Sequence, residues 1–217
     1  IRGAEEFAMT QNHHGVFFTL TTPSKYHSTL SSGRQNPKYA ELSPADGQAY
    51  LNKVWSRVRA AWGRKGITPY GFRVAEPQHD GTPHWHLLLF MPEENLELAK
   101  SIFKHYALEE DGNEPGAKKH RFDVKEIDPS KGTASGYIAK YISKGIDGHG
   151  IDEDLYGKDA KTSSQRVKAW ASTWNIRQFQ PIGMPSVTVW RELRRISTED
   201  VDQSVLFEAT KAADDSD

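Results

Sequence analysis

Residues 68–91 constrain the fold of this chain more than any other stretch, because they predict two strands joined by a short turn. TPYGFRVAE (68–76) is rich in aromatic and β-branched residues, PQHDGTP predicts the turn, and HWHLLLFM (84–91) predicts the returning strand. A hairpin of this kind is typical of an antiparallel sheet. Side chains alternate between the two faces of a strand. One face of the first strand therefore carries Tyr70, Phe72, Val74 and Glu76.

Helices and further strands alternate along the rest of the chain. Ser43 at an N-cap position, Pro44 at the first helical position and Asp46 in a capping box predict the start of a helix. The helix continues with apolar residues at helical spacing as far as Trp62. This intermingling predicts an α+β fold, with helices packed on an antiparallel sheet. Further strands are predicted at 15–22, 120–127 and 176–180, and further helices at 96–108, 130–146, 163–174 and 186–196.

The composition limits the class of protein. A length of 217 residues suits one domain with extensions. Because the chain has no cysteine, disulfides, thiolate zinc sites and a cysteine nucleophile are excluded. No apolar run is long enough to cross a bilayer, and no signal-peptide pattern opens the chain, so an intracellular protein is expected. The first residue is Ile1 rather than methionine, which predicts a domain taken from a longer protein.

The net charge of −1 hides two regions of opposite sign. The segment 197–217 holds seven Asp or Glu residues and one Lys. Taking these from the totals of 29 and 28 leaves 22 acidic and 27 basic residues, so the first 196 residues carry a formal charge of +5. The body is therefore mildly basic, and the acidic segment predicts a solvated tail.

Two histidines on the returning strand are the first candidate functional residues. His84 and His86 are two positions apart, so their side chains lie on the same face. Imidazole suits divalent transition metals, although two polar residues at a strand end are an alternative interpretation. The hairpin brings Glu76 beside His84, and two imidazoles with a carboxylate predict a metal site with open positions for water and substrate. His79 and Asp80 lie in the turn, from which they could also reach this site.

The predicted helix 130–146 carries the second set of candidates. Four of its residues fall at i, i+3, i+4 and i+7 and so form one stripe: Tyr137, Lys140, Tyr141 and Lys144. A solvated helix face is the alternative interpretation. Tyrosine can serve as a covalent nucleophile, and lysines can pair with a phosphate. A metal that polarises a phosphodiester, next to a tyrosine that attacks it, would nick DNA.

Together these motifs resemble those of the HUH endonuclease superfamily, which combines His-hydrophobic-His on a strand with Tyr-x-x-x-Tyr on a helix. Within it the chain is similar to the replication gene A proteins of bacteriophages, the two-tyrosine initiators of rolling-circle replication. The resemblance covers roughly residues 15–196. It is carried by FFTLT, AEPQHDGTPHWHLLLF, GYIAKYISKGID and QFQPIGMPSVTVWRELRR. Each stretch is weak evidence alone, and the combination is specific.

The resemblance implies a ferredoxin-like core with a five-stranded antiparallel sheet flanked by helices. It also implies a divalent metal, Mg²⁺ or Mn²⁺, and two nucleophiles. The lysines of the stripe would contact phosphate or assist the tyrosine hydroxyls. The implied residues are His84, His86 and Glu76 as metal ligands, Tyr137 and Tyr141 as nucleophiles, and Lys140 and Lys144 as their helpers.

The implied activity is site-specific nicking of single-stranded DNA at a replication origin, through a 5′-phosphotyrosine intermediate. The implied partners are the origin strand, a host helicase and a host DNA polymerase, in the cytoplasm of a bacterial host. The expected organisation is an N-terminal extension at 1–14, a nickase domain at 15–196 and an acidic tail at 197–217.

Three alternatives remain open. A two-tyrosine relaxase or transposase shares the chemistry and differs in the DNA it binds. An inactive origin-binding module would keep the fold and lose the reaction, but it has no reason to keep both histidines, the glutamate and both tyrosines. A hydrolase that uses metal-activated water would leave the tyrosine pair unexplained.

Two further groups of residues carry weaker predictions. Lys118, Lys119 and Arg121 either follow a DNA backbone or are merely solvated, and solvation is the favoured interpretation. Trp170 and Trp174, one helical turn apart, either stack on bases or belong to the core, and the core is favoured.

Overall fold

A computed structural model describes residues 2–128, Gly136 and residues 160–196 of the chain. Its centre is a five-stranded sheet in the order β4-β1-β3-β2-β5, and every neighbouring pair of strands is antiparallel. This confirms the predicted antiparallel sheet of an α+β fold. The strands are β1 (His14–Leu20), β2 (Tyr70–Pro77), β3 (Pro83–Met91), β4 (Phe122–Glu126) and β5 (Phe179–Ile182).

Helices connect and flank these strands. The described helices are α1 (Arg2–Thr10), α2 (Pro44–Arg64), α3 (Glu93–Leu108), α4 (Ala117–His120), α5 (Ala160–Thr173) and α6 (Val187–Leu193), with a 3₁₀ turn at Ser24–Tyr26. The chain order β1-α2-β2-β3-α3-β4 is the ferredoxin-like order. The expected ferredoxin-like core is therefore confirmed, with β5 added at the free edge of β2.

One face of the sheet packs against α2 and α3. The aromatic ring of Phe103 on α3 lies 5.1 Å from Phe18 on β1 and 5.8 Å from Trp62 on α2. The indole of Trp62 donates a hydrogen bond to the carbonyl of Ala99 at 3.2 Å, which joins the two helices. These side chains are almost fully buried, so the main hydrophobic core lies between this face and the two helices.

The predicted capping box of α2 is present. The side chain of Ser43 accepts a hydrogen bond from the Asp46 amide, and the Asp46 carboxylate accepts one from the Ser43 amide at 2.8 Å. These bonds satisfy amide groups that have no partner within the helix, which fixes where α2 begins.

The other face of the sheet has a second, smaller core under α1. Ala4 and Ala8 of α1 are buried with Tyr70 and Phe90, and the ring of Phe7 meets Tyr70 edge-on at 5.4 Å. Tyr70 begins β2, so α1 covers the end of this face where β2 begins. The metal-ligand candidates belong to the opposite end, where β2 ends and β3 begins.

Several elements differ from the sequence prediction: the short helix α4 (Ala117–His120) was expected as loop and strand, and two further differences concern the ends of the described chain. The segment 1–14 was expected only as an extension, and it contains α1, whose short apolar stripe gave too little signal to stand out from a polar segment. The last strand spans Phe179–Ile182 instead of 176–180. Ile176 is buried in the main core, and the register of β5 with β2 runs from Phe179 to Ile182. Within the described ranges, no helix is both long and apolar enough to cross a membrane.

Candidate metal centre

The β2–β3 hairpin brings three potential metal ligands together. Its register pairs Glu76 directly with His84, and Val74 with His86. Because side chains alternate along a strand, Glu76, His84 and His86 point to the same face. Helix α1 covers the opposite end of this same face, where β2 begins. Pairing of two adjacent strands is therefore enough to assemble the group.

The ligand atoms of this group lie close together. The Nε2 atoms of His84 and His86 are 2.8 Å apart. The Oε2 atom of Glu76 lies 3.4 Å from His86 Nε2 and 3.9 Å from His84 Nε2. The side chains are 12% (Glu76), 17% (His84) and 7% (His86) exposed, so the group is recessed but reachable from solvent.

The donor set fits a divalent cation. Ligand atoms at about 2.1 Å from an ion, in neighbouring positions, are about 3 Å from one another, and the observed separations start at 2.8 Å. Glu76, His84 and His86 form the group of this kind found among the described residues. Two imidazoles and one carboxylate leave coordination positions open for substrate oxygen. The three residues predicted as ligands are thus brought together in a geometry that could hold a metal ion.

Strand β1 supports His86 from the side. Thr19 is opposite His86 in the register, and its Oγ1 lies 3.1 Å from His86 Nδ1. If His86 binds a metal through Nε2, its Nδ1 carries the proton and donates it to this hydroxyl. The ring of Phe17 stacks on His86 with 5.4 Å between centroids and 24° between planes. Both contacts hold the imidazole in one orientation.

Sequence reasoning missed the role of Thr19. The available signal was a hydroxyl at the third position of FFTLT, within an otherwise apolar strand. Its partner is 67 residues away, so only the order of the strands in the sheet reveals the contact.

The turn residues His79 and Asp80 do not join the metal-ligand group. The Asp80 carboxylate is 1% exposed and lies 3.1 Å from His27 Nδ1. It also accepts a hydrogen bond from the Thr82 amide at 3.1 Å. His79 instead approaches the carbonyl of Thr29, at 3.3 Å. Both turn residues therefore attach the hairpin to the segment that follows β1.

The charge state of Asp80 follows from these contacts. Burial raises the pKa of its carboxyl, but the hydrogen bonds from His27 and Thr82 more than offset burial and hold the pKa below the usual range. An ionised carboxylate only accepts hydrogen bonds, so His27 Nδ1 donates to it. In the neutral ring, His27 Nε2 then accepts a hydrogen bond from the Thr22 hydroxyl, 3.1 Å away.

The candidate nucleophiles and their helpers lie outside the described residues. These are Tyr137, Tyr141, Lys140 and Lys144; in the segment between 128 and 160 the structure describes Gly136 alone. Their assignment stays a prediction from the sequence.

The residues with weaker sequence predictions differ in burial and in the contacts that they make. Arg121 is 2% exposed, donates to the Glu110 carbonyl at 3.0 Å and pairs with the Glu114 carboxylate, so both of its sequence interpretations were wrong. Lys118 and Lys119 are exposed, as favoured. Trp170 packs against the main core and donates to the Gly81 carbonyl at 2.8 Å, and Trp174 also packs there. The core interpretation of the two tryptophans is confirmed.

Comparison with known proteins identifies the family of the chain. Residues 1–149 match the family described as Bacteriophage replication gene A protein (GPA). The chain belongs to this family. The Replication gene A protein of Escherichia phage 186 is 48% identical over 214 residues, which cover 96% of this chain and 31% of that protein. The Replication protein of Haemophilus phage HP1 is 46% identical over 217 residues, covering 98% of this chain and 28% of that protein.

A relative from a bacterial genome carries a more explicit name. The "Probable replication endonuclease from prophage-like region" of Salmonella paratyphi A is 40% identical over 201 residues, covering 91% of this chain and 25% of that protein. The chain therefore spans about a third or less of the length of these three relatives. No solved structure matches it.

Proposed function

We propose that this chain is the DNA-nicking domain of a replication initiator, a metal-dependent endonuclease that cuts single-stranded DNA at an origin. The observation that carries the proposal is the convergence of Glu76, His84 and His86 at one end of the sheet. Family membership adds the biological setting, since relatives are named replication proteins and, in four cases, probable replication endonucleases.

The three ligands would hold Mg²⁺ or Mn²⁺. A divalent cation bound there would withdraw charge from a non-bridging oxygen of the scissile phosphate. Glu76 supplies one negative charge to the site, and His84 and His86 supply neutral nitrogens. The Thr19 hydroxyl can accept the Nδ1 proton of His86, which would leave Nε2 available for the metal. The recess of the group limits the number of water molecules around the reacting phosphate.

The proposed nucleophiles are Tyr137 and Tyr141. A tyrosine oxygen forms a bond to phosphorus as its phenolic proton leaves, the bond from phosphorus to O3′ breaks, and the departing oxygen takes up a proton. The products are a 5′-phosphotyrosine and a free 3′-OH. Lys140 and Lys144 would contact the phosphate or assist the hydroxyls. Because the phosphate remains an ester, the step is reversible and the same site can rejoin strands.

Two tyrosines suit rolling-circle replication. The free 3′-OH primes a host polymerase while a host helicase unwinds the duplex. When the origin is regenerated, the second tyrosine can attack while the first still holds the 5′ end. Residues four apart on a helix have Cβ atoms about 6 Å apart, so both could address one phosphate in turn.

The alternatives are less well supported. The names of the relatives favour a replication initiator over a relaxase or a transposase. An inactive origin-binding module would gain nothing from two imidazoles and a carboxylate placed in a recess with their ligand atoms together, because burying polar groups costs free energy.

Covalent capture tests the proposal. The protein is incubated with single-stranded oligonucleotides from a candidate origin, with Mn²⁺, with Mg²⁺ or with EDTA, and protein–DNA adducts are resolved on a denaturing gel. We expect an adduct only with metal, and its loss in the double variant His84→Ala/His86→Ala. The matched control is His105→Ala, an exposed histidine on α3.

The adduct also identifies the nucleophile. Mass spectrometry of the DNA-linked peptide should show Tyr137 or Tyr141, and the double variant Tyr137→Phe/Tyr141→Phe should form no adduct. Full adduct formation by the double histidine variant in EDTA would refute the metal site. An adduct on Tyr26, Tyr106 or Tyr156 would refute the assignment of the nucleophiles.

A further inference from the structure

A cleft of about 250 Å³ lies at the same end of the sheet as the metal-ligand group. Three segments line it: the stretch after β1, the β2–β3 turn, and the residues around α4. Thr21, in its wall, follows Thr19 by two residues, and Gln78 follows Glu76 by two residues. A DNA strand whose phosphate is at the metal-ligand group would therefore have a neighbouring nucleotide at this cleft.

The chemistry of the cleft suits a base better than a phosphate. The charged side chains Arg121 and Glu114 in its wall are paired with each other. The wall otherwise offers hydroxyls, two amides (Asn36 and Gln78), imidazoles and the apolar side chains of Leu30, Pro115 and Ala117. Its volume is below the roughly 300–1,000 Å³ that is typical of sites for larger small molecules. These properties match one flat, neutral ring with hydrogen-bonding edges.

One wall is a fixed aromatic ring. His27 contacts Asp80 through Nδ1 and Thr22 through Nε2, each at 3.1 Å. A ring with both nitrogens engaged has only its faces left for a ligand, and histidine is one of the side chains on which bases stack. Because Asp80 belongs to the hairpin that carries the metal ligands, His27 is held in a fixed position relative to them.

A second group in the lining of the cleft is the amide of Gln78. Its Nε2 atom is buried and has no hydrogen-bond partner among the described residues. A buried donor without a partner is costly, and a ligand with a carbonyl oxygen would satisfy it. Bases carry such acceptors on the edges that proteins use to identify them.

We infer that this cleft receives one nucleobase of the single strand, next to the scissile phosphate, and that Gln78 identifies it while His27 stacks on it. The inference deepens the proposed function and rests on it for the identity of the ligand as DNA. It assigns to these residues a part in choosing the cleavage site.

The test separates base recognition from cleavage. A pool of single-stranded oligonucleotides with a randomised segment is partitioned by binding to the protein in EDTA, and the bound molecules are sequenced. The wild-type protein should give a consensus of several positions. Gln78→Glu, which replaces the donor by a carboxylate, should change the preferred base at one position about 10-fold or more and leave the other positions unchanged. Gln78→Leu should abolish the preference at that same position.

The matched control is Gln178→Glu. Its side-chain nitrogen also has no hydrogen-bond partner among the described residues, but the residue lies outside the cleft. Its backbone carbonyl bonds to Ala75, whose side chain is on the face opposite Glu76. This variant should give the wild-type consensus. Thermal melting of each variant verifies the fold.

Stacking is tested by a double-mutant cycle on the wild-type consensus. The abasic site is placed at the position where the Gln78 variants change the preferred base. It should weaken binding to the wild-type protein about 5-fold or more, and it should change the affinity of the His27→Ala variant little. His27→Phe should retain most of the effect, because it keeps a flat ring.

The outcomes distinguish the two proposals. The cleft does not bind a base if both Gln78 variants keep the wild-type consensus at every position. The same conclusion follows if an abasic site at each position weakens binding equally for the wild-type protein and for His27→Ala. If the variants behave as expected but the wild-type protein forms no adduct with Mn²⁺ or Mg²⁺, the cleft inference stands for DNA binding and the nicking proposal fails.

Discussion

Thr19 shows how one hydroxyl can tune the metal-ligand group. It lies 3.1 Å from the Nδ1 atom of His86, and groups that orient a metal-binding histidine typically change metal affinity 10–100-fold when removed. Thr19→Val keeps the shape of the side chain and removes the hydroxyl. We therefore expect a loss of about 10–100-fold in Mn²⁺ affinity, measured by isothermal titration calorimetry. Thr68→Val, at an exposed position, is the control. An unchanged affinity in a folded Thr19→Val variant would contradict the role.

Glu76 contributes the single carboxylate of the group, and its loss should differ from loss of a histidine. In Glu76→Ala, both imidazoles remain, so affinity for metal falls while the imidazole pair can still bind Mn²⁺. Adduct formation should then require more Mn²⁺ than in the wild-type protein and recover partly at high concentration. A titration of adduct yield against Mn²⁺ measures the shift. Activity that is independent of Mn²⁺ concentration in this variant would show that Glu76 is not a ligand.

Asp80 should make stability depend on pH. Its carboxylate bonds to His27 and to the Thr82 amide, and hydrogen bonds to charged groups contribute about 1.5–3 kcal/mol. Asp80→Asn should lower the free energy of unfolding at pH 7 by about that amount. Since its pKa in the folded protein is below the ordinary value of 3.8, the contribution is present above pH 3.8 and is lost as the pH falls toward the folded value.

Urea unfolding at pH 7 and pH 3 measures this effect. The difference between wild type and Asp80→Asn should be smaller at pH 3. Glu41→Gln removes the same charge from an exposed loop and should change stability little at either pH. An equal difference at both pH values would mean that the carboxylate charge is not what Asp80 contributes.

The sequence could predict the ligand group because only local rules are involved. Alternation along a strand and pairing across one hairpin are sufficient to bring Glu76 to His84 and His86. The contacts of Thr19 with His86 and of His27 with Asp80 join residues 67 and 53 positions apart. They depend on which strands are neighbours and on the path of an irregular segment, and no local pattern encodes either.

At the scale of elements, β2 depends on a glycine. Gly71 has a φ of +149°, and a Cβ at this position would lie 2.0 Å from the Leu88 carbonyl oxygen of β3. Gly71→Ala should therefore cost about 1–3 kcal/mol in backbone strain and a similar amount in overpacking. A melting temperature lower by many degrees is expected. Because the same hairpin carries the ligands, Mn²⁺ affinity should fall as well.

Gly63 provides the control for this substitution. It lies in α2, and a Cβ there would meet no atom within 4 Å. Gly63→Ala should stabilise the protein by about 0.5–1 kcal/mol, because alanine favours the helix. A Gly71→Ala variant as stable as wild type would show that β2 can shift away from β3 at this point.

Elements were predictable where the local signal was strong. The capping box, the start at Pro44 and the apolar stripe gave the position of α2. The hairpin followed from two strong strand patterns and a turn. In contrast, α1 has only nine residues, and it packs on the sheet through Ala4, Ala8 and the ring of Phe7. The start of β5 is set by its pairing with β2. The residue pattern of one strand does not show which of its residues pair with a neighbouring strand.

At the scale of the whole molecule, the expectation of a ferredoxin-like core with a five-stranded sheet came from the family resemblance and not from any residue pattern. The chain places α2 and α3 on one face of the sheet, which leaves the other face for α1 at one end and the metal-ligand group at the opposite end. The helix that is predicted to carry Tyr137 and Tyr141 would have to approach this second face for the proposed reaction. The topology thus separates the main hydrophobic core from the metal-ligand group.

This layout predicts a preference for unpaired DNA. The three ligands are only 7–17% exposed, so a phosphate must enter a recess to reach them. Duplex DNA is stiff over about 150 base pairs, whereas a single strand can bend locally and place one phosphate inside. The protein should therefore form adducts with a single-stranded target, and with a duplex that carries an unpaired bubble at the same sequence, but not with the fully paired linear duplex. Denaturing gels with the three substrates at equal concentration measure this, and equal adduct yield on paired and unpaired DNA would contradict it.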